Sequence, residues 1–284
     1  MKYKFLSFSW KDEFIDIISK TKEELFISSP FINIEGVKIL SNCFLKKSSI
    51  NISLLTNLTS QNIINKSTEP SALLELYKLF DQVRISSLGK LHAKVYIVDN
   101  EIGIITSANL TSGGLINNFE YGILIEDKNV ISTIKKDMLE YFFLGNIFDK
   151  ILLEKINKES EKLYKIKYET ENLIKDTKLA HLLKKDAETI DSELLKNRIK
   201  SRTINAIFSD TIIYILKKRG SLSTSQLNPL IQSIHPDICD DSIDRVIEGQ
   251  HFGKKWKHSA RSAQQSLKNK ELIYLKDGKW CLIN

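Results

Sequence analysis

Hydrophobic residues in the first half of the chain fall into two alternating patterns. Short apolar runs at residues 24–31, 50–55, 83–86 and 119–125 have the length of buried strands, whereas residues 14–20, 36–46, 70–80 and 130–143 carry apolar side chains at helical spacing. Pro70 stands at the first turn of the third helical stretch, where its missing N–H leaves no helical bond unmade. Ile131, Ile134 and Met138 share one face of the fourth. A further pair of apolar runs, either side of a polar turn at Asp99, Asn100 and Glu101, predicts a β-hairpin. Strands interleaved with helices predict an α/β domain over residues 1–149, with a mixed sheet flanked by helices.

The texture changes near residue 150. Residues 150–200 are rich in Lys and Glu, lack Pro and Gly, and place Leu152, Ile156, Leu163 and Ile166 at helical spacings that slip at Glu159 and Thr170. A helical linker is expected there, contributing to dimerisation or simply holding two domains apart, and not one continuous coiled coil. Residues 201–284 predict a smaller module: helices over 203–219, 224–234, 240–248 and 256–270, then a hairpin of 272–275 and 279–282 across Asp277-Gly278. In the last helix Trp256, Ala260, Ala263 and Leu267 form a stripe to be buried, and the opposite face carries Lys254, Lys257, His258, Arg261, Gln265 and Lys268. Helices followed by a basic helix and a hairpin wing resemble a winged-helix domain of α+β type, similar to the DNA-binding modules of some restriction enzymes. The resemblance implies Arg261 and Gln265 on base edges, with Lys254, Lys257 and Lys268 on phosphates. The acidic cluster Asp237, Asp240, Asp241 and Asp244 is read as helix capping and not as a metal site.

Charge sharpens this division. Residues 198–284 hold 15 Lys and Arg against 8 Asp and Glu, while the rest of the chain holds 27 of each, so the whole net charge of +7 lies in the last third. Basicity confined to one module points to a polyanionic partner. Composition is otherwise that of a globular protein, 42% hydrophobic and 27% charged. Three scattered cysteines without metal-ligand spacing fit a reducing compartment. The N-terminus meets Lys11, Asp12 and Glu13 before any signal-peptide core, and no apolar run approaches the ~20 residues of a membrane span. A cytoplasmic protein without a membrane partner is expected.

The chemistry concentrates in residues 91–120. His92 and Lys94 sit on the first arm of the predicted hairpin, Ser107 and Asn109 on the second. With a two-residue loop at Asn100 and Glu101, His92 would lie opposite Asn109 and Lys94 opposite Ser107, and all four would converge on one face. An odd loop would separate the pairs. Imidazole can attack phosphorus or carry a proton, an ammonium can hold an anionic oxygen, and Asn and Ser donate to the remaining oxygens. The implied target is a phosphodiester.

The spacing His92-x-Lys94, Asp99, Ser107-x-Asn109 and Asn118-x-Glu120 resembles the HKD motif of the phospholipase D superfamily, with Thr106 where the family usually has Gly. The resemblance implies a two-step reaction. One histidine attacks phosphorus to form a phosphohistidine, and a second protonates the leaving oxygen and then activates water, with no metal or other cofactor. It implies that Lys94 and Asn109 bind phosphoryl oxygens, that Ser107 assists, and that Glu120 orients His92. Asp99 is expected to hold the turn. His92 belongs to the one His-x-Lys in the chain, so a homodimer with one composite site is expected. The reading is a metal-independent DNA endonuclease of a restriction or defence system, cutting double-stranded DNA, with a methyltransferase or motor protein as a candidate partner. A lipid phosphodiesterase of the same superfamily and a non-catalytic DNA-binding subunit are the alternatives.

Overall fold

The computed structural model describes residues 3–8, 10–44, 48–199 and 202–283. The chain forms two compact units, Met1–Leu173 and Ile174–Asn284. Each has its own hydrophobic core.

The first unit runs β1 (Tyr3–Leu6), α1 (Lys11–Ile18), β2 (Glu24–Ser28), α2 (Ile34–Ser41), β3 (Ser48–Thr56), α3 (Ser60–Ile64), α4 (Pro70–Leu79), β4 (Phe80–Ser87), β5 (Val95–Val98) and β6 (Ile102–Thr106). A π-helical turn at Gly113–Asn117 follows, then β7 (Gly122–Ile125), α5 (Lys128–Leu144), β8 (Asn146–Phe148) and α6 (Lys150–Lys175), which reaches into the second unit's residues. The eight strands form one mixed sheet in the order β1-β7-β6-β5-β2-β3-β4-β8, in which β2-β3 and β3-β4 are parallel pairs and the others antiparallel. All four residues of β5 are buried, as a central strand covered on both faces requires. One face packs on α1, α2 and α4 through Phe14, Ile18, Val37, Leu40 and Leu73, and the other on α5 through Ile131, Met138 and Phe142. Each such fully buried side chain contributes roughly 1.5–3 kcal/mol.

The expected α/β class and its flanking helices are present. β1, β8 and α3 are additions, elements of four, three and five residues that are too short to show a hydrophobic period. In α6 the face turned to the first unit carries Leu153, Ser160 and Lys167, whose ammonium donates to the Ile64 carbonyl at 3.1 Å. Leu152, Leu163 and Ile166 are exposed instead, so the heptad-like stripe is not the packed one.

The hairpin loop departs from expectation. Val98 pairs with Ile102 and Val95 with Ile105, so the loop is the three residues Asp99, Asn100 and Glu101. Asp99 and Asn100 both have positive φ, 49° and 52°, a conformation that Asp and Asn tolerate better than most residues. The Asp99 carboxylate accepts from the backbone N–H groups of Lys22, Glu23 and Glu24 at 2.8, 2.9 and 2.9 Å. Burial alone would raise its pKa, but these three donors hold it below the ordinary carboxylate value.

In the second unit α7 (Lys178–Ile199) precedes α8 (Ile204–Arg219), β9 (Leu222–Ser223), α9 (Thr224–Ile234), β10 (Asp244–Ile247), β11 (Gln250–Lys254), α10 (Lys255–Asn269), β12 (Ile273–Lys276) and β13 (Lys279–Leu282). Thr203 caps α8, Gly220 at φ 72° ends it, and Ser223 with Gln226 forms a capping box on α9. β12, β13 and β9 make a three-stranded antiparallel sheet. Trp256, Ala260, Ala263 and Leu267 are buried against Phe208, Ile212 and Leu227, as the stripe predicts.

One helix is corrected. Residues 240–248 are not helical: β10 and β11 form a separate hairpin turning at Glu248 and Gly249, both at positive φ. Such a two-residue turn suits a tight hairpin, and Asp244–Ile247, two polar residues followed by two apolar ones, carries no strand alternation that would mark it in the sequence. Those acids therefore do not cap a helix. Asp241 accepts from Trp256 Nε1 at 2.9 Å and Gln232 Nε2 at 2.8 Å, Asp240 from Ser242 N–H at 2.7 Å, and Asp244 pairs with Lys254 at 2.8 Å.

Candidate active site

The motif residues lie just beyond the ends of the hairpin strands. β5 begins at Val95 and β6 ends at Thr106, and with that register the pairing expected for His92 with Asn109 and Lys94 with Ser107 does not occur. Thr106 N–H donates to the Lys94 carbonyl at 3.1 Å, which closes the ladder. Past that point neither arm is pleated, so strand parity no longer decides which way the side chains face.

Buried groups position the two arms instead. Ser28, fully buried, donates from Oγ to the Ala93 carbonyl at 3.0 Å, between His92 and Lys94. Ser29, equally buried, accepts the Leu110 N–H at 2.8 Å and donates to the Phe31 carbonyl at 2.7 Å. Phe31 N–H in turn donates to Asn109 Oδ1 at 3.3 Å, and Tyr96 donates its phenolic proton to the Ala108 carbonyl at 3.2 Å. Two glycines press on the second arm. A Cβ on Gly114 would stand 2.3 Å from the Asn109 carbonyl oxygen, and one on Gly36 would stand 2.1 Å from that of Leu110. Ser28 and Ser29 stand at the end of the apolar run that forms β2, a position that can be read in the sequence, whereas the two glycines need the tertiary contact to be noticed.

The reactive groups are arranged around an open face. His92 and Ser107 are exposed, whereas Lys94 is only 7% exposed. The Lys94 ammonium donates to the His92 carbonyl at 2.9 Å and stands 3.2 Å from both ring nitrogens, so the nitrogen that accepts from it is unprotonated. Burial lowers the Lys94 pKa, and the negative charge of Glu120 opposes that shift. Glu120 accepts from Ser107 Oγ and from Asn118 Nδ2, the latter at 3.2 Å, while Ser107 Oγ also accepts the Tyr121 N–H at 3.0 Å. His92, Lys94, Ser107, Asn109 and Glu120 thus lie at one end of the sheet, with Asp99 at the far end of the hairpin.

Beside this face lies an exposed aromatic surface. Tyr3, Phe5, Phe119 and Tyr121 are each more than half exposed, and the Phe5 and Tyr121 rings stack with centroids 5.9 Å apart.

In the second unit the expected DNA-binding residues separate into two groups. Arg261, Gln265 and Lys268 are exposed along α10. Lys254 is paired with Asp244, Lys257 lies over the Trp256 ring at 5.4 Å, and His258 bonds to the β10–β11 hairpin.

At one end of the mixed sheet the strand ends gather a histidine, a lysine, an asparagine and an acid. Residues 14–142 match the family described as cardiolipin synthase, PLD-like domain, and the chain therefore carries a phospholipase D-like domain. A DISARM protein DrmC from Bacillus paralicheniformis is 42% identical over 62 residues, 22% of this chain and 25% of the relative. The major cardiolipin synthase ClsA of Bacillus subtilis is 26% identical over 133 residues, 45% of this chain and 28% of the relative. The chain thus spans about a quarter of the length of these relatives. Among solved structures, NucT from Helicobacter pylori aligns with 52% of this chain and 99% of its own at 18% identity and a TM-score of 0.40. Nuc from Salmonella typhimurium, a phospholipase D family member, does so over the same shares at 14% identity and 0.42. Among the described residues no helix is long and apolar enough to cross a membrane.

Proposed function

We propose that the chain is a DNA endonuclease of a restriction or defence system, cutting the phosphodiester through a phosphohistidine and without a metal ion. The observation that carries the reading is the joining, in one chain, of the His92-centred constellation to a unit that holds the whole net positive charge. The similarity of a short segment to a DISARM protein supports the defence setting.

As Lys94 turns from the His92 ring to a phosphoryl oxygen, the unprotonated ring nitrogen is freed to attack phosphorus, and the P–O bond to the leaving oxygen breaks. Lys94 and Asn109 neutralise the charge that builds on the non-bridging oxygens, in place of a metal. Ser107 assists through Glu120, to which it gives its one hydroxyl proton, and Glu120 orients His92 once its ring carries charge. A second His92, from another copy of the chain, protonates the leaving oxygen and then activates water to cleave the phosphohistidine. The exposed histidine and the aromatic surface beside it suit an isologous contact. In the second unit the order helix, strand, helix, hairpin, helix, hairpin, with β9 paired to β13 of the last hairpin, supports a winged-helix reading, with Arg261 and Gln265 at base edges and Lys254, Lys257 and Lys268 at phosphates. A methyltransferase or motor protein would be a natural partner.

The similarity to ClsA favours a second reading, a lipid phosphodiesterase working through the same residues. Supercoiled plasmid incubated with the protein in excess EDTA decides between them. Cleavage by the wild type and not by His92→Ala is the expected result. Intact plasmid together with hydrolysis of anionic phospholipid vesicles would overturn the DNA reading.

A further inference from the structure

The β10–β11 hairpin, absent from the sequence-based expectation, creates a groove of about 470 Å³ against α10. Its lining includes Asn205, Arg245, Lys255, His258, Ser259 and Ser262. His258 links the two walls. Its Nε2 is 2.7 Å from the Phe252 carbonyl oxygen, which can only accept, so Nε2 carries the proton. Its Nδ1, 3.1 Å from Arg245 Nη1, is then the acceptor, because a guanidinium can only donate. A neutral imidazole of fixed tautomer therefore aims the Arg245 side chain. The one acid of the lining, Asp244, is taken up by Lys254 at 2.8 Å and by His251 at 3.3 Å. Beside His258 and the apolar Ile243 and Val246, the groove presents two cations, two hydroxyls and an amide.

That set matches a phosphate monoanion: charge, planar bidentate donors and short neutral donors. The groove is also placed for one. Residues 255, 258, 259 and 262 form the stripe of α10 next to that of Arg261, Gln265 and Lys268, so a duplex read by the exposed stripe would bring a flanking strand to the groove.

We infer that this groove holds a backbone phosphate of bound DNA, with Arg245 as its bidentate ligand and His258 as the positioning residue that aims it. The inference rests on the reading that the second unit binds DNA and adds a contact that the sequence did not suggest. It removes His258 from direct contact with DNA.

The test uses the full chain carrying His92→Ala, so that DNA survives, and measures binding to fluorescent duplexes of several sequences between 50 and 200 mM salt (about the range over which phosphate contacts are read). Arg245→Gln should weaken binding about fivefold to tenfold on every duplex and reduce the slope of log affinity against log salt by about 0.9, the value of one phosphate contact. His258→Ala should weaken binding about threefold alone and not at all when Arg245 is already Gln, since a residue acting only through Arg245 is non-additive with it. Wild-type affinity and slope in Arg245→Gln, with loss in Arg261→Ala, would overturn the groove and leave the DNA-binding unit standing. Absence of DNA binding by the parent chain would overturn both.

Discussion

The two functional regions of this protein are held in opposite ways. Around the candidate active site, the backbone of both arms is fixed by buried serines, a buried tyrosine and glycines in close approach, with Lys94 buried and His92 and Ser107 open to solvent. Along α10 the backbone is an ordinary helix anchored by Trp256, Ala260, Ala263 and Leu267, and position is left to long exposed side chains. Chemistry on phosphorus needs groups placed to a fraction of an ångström before the substrate arrives. Binding a polyanion needs charge on a surface and tolerates looser side chains. Damage to the packing of the first region should therefore reach activity, while damage to the second should reach affinity alone.

The largest expected effect is at the nucleophile. His92→Ala should lower single-turnover cleavage by at least about 10³-fold with DNA affinity unchanged, and cleavage within tenfold of wild type would remove His92 from the mechanism. Gly114→Ala comes next, because the new methyl has no room beside the Asn109 backbone. It should cost about 1–3 kcal/mol of stability on denaturant titration and depress kcat while leaving DNA affinity alone. Ser28→Ala, which leaves the Ala93 carbonyl without its buried donor, should cost about 1–3 kcal/mol and reduce kcat roughly tenfold with little change in KM. An effect on KM alone would mean that Ser28 does not aim His92 and Lys94. Arg261→Ala should leave the single-turnover rate on saturating DNA intact and weaken binding by about 1–3 kcal/mol with relaxed sequence preference. A change in the rate at saturation would break the separation between the two regions.

The smallest effect is on pH dependence. Lys94 has its pKa lowered below the ordinary 10.5 by burial, with Glu120 opposing. Glu120→Gln removes the opposing charge, so the pKa of Lys94 falls further and the alkaline limb of the pH–rate profile should move to lower pH. The sign for stability follows from proton binding. A lysine whose folded pKa lies below its unfolded value makes the folded state pay for holding the proton at neutral pH. That penalty fades as pH rises through the folded pKa towards 10.5. An alkaline limb that stays in place in Glu120→Gln would show that Lys94 does not control it.

Much of the plan was visible in the order of residues. The α/β alternation, the helices α8 and α9, the buried stripe of α10 and the Asp277-Gly278 hairpin follow from local periodicity and turn chemistry, and the motif spacing picked out the side chains of the candidate site. The failures share a cause. A two-residue loop at Asn100 and Glu101 was the simplest way to converge the motif within a pleated ladder, but Asp99 and Asn100 both turn left-handed and the ladder stops before the motif begins. Residues 240–248 read as a helix in the sequence because acids ahead of an apolar pair look alike in a cap and in a strand entry, whereas the chain forms the β10–β11 hairpin there.

Sequence alone therefore determined most of the elements and nominated the side chains of the candidate site, because periodicity, capping and spacing are short-range properties that a chain cannot avoid displaying. Tertiary structure alone decided how those side chains meet. The link from Ser28 to Ala93 spans 65 residues and that from Ser29 to Leu110 spans 81, and no local pattern records which buried hydroxyl will find which carbonyl or amide across the sheet.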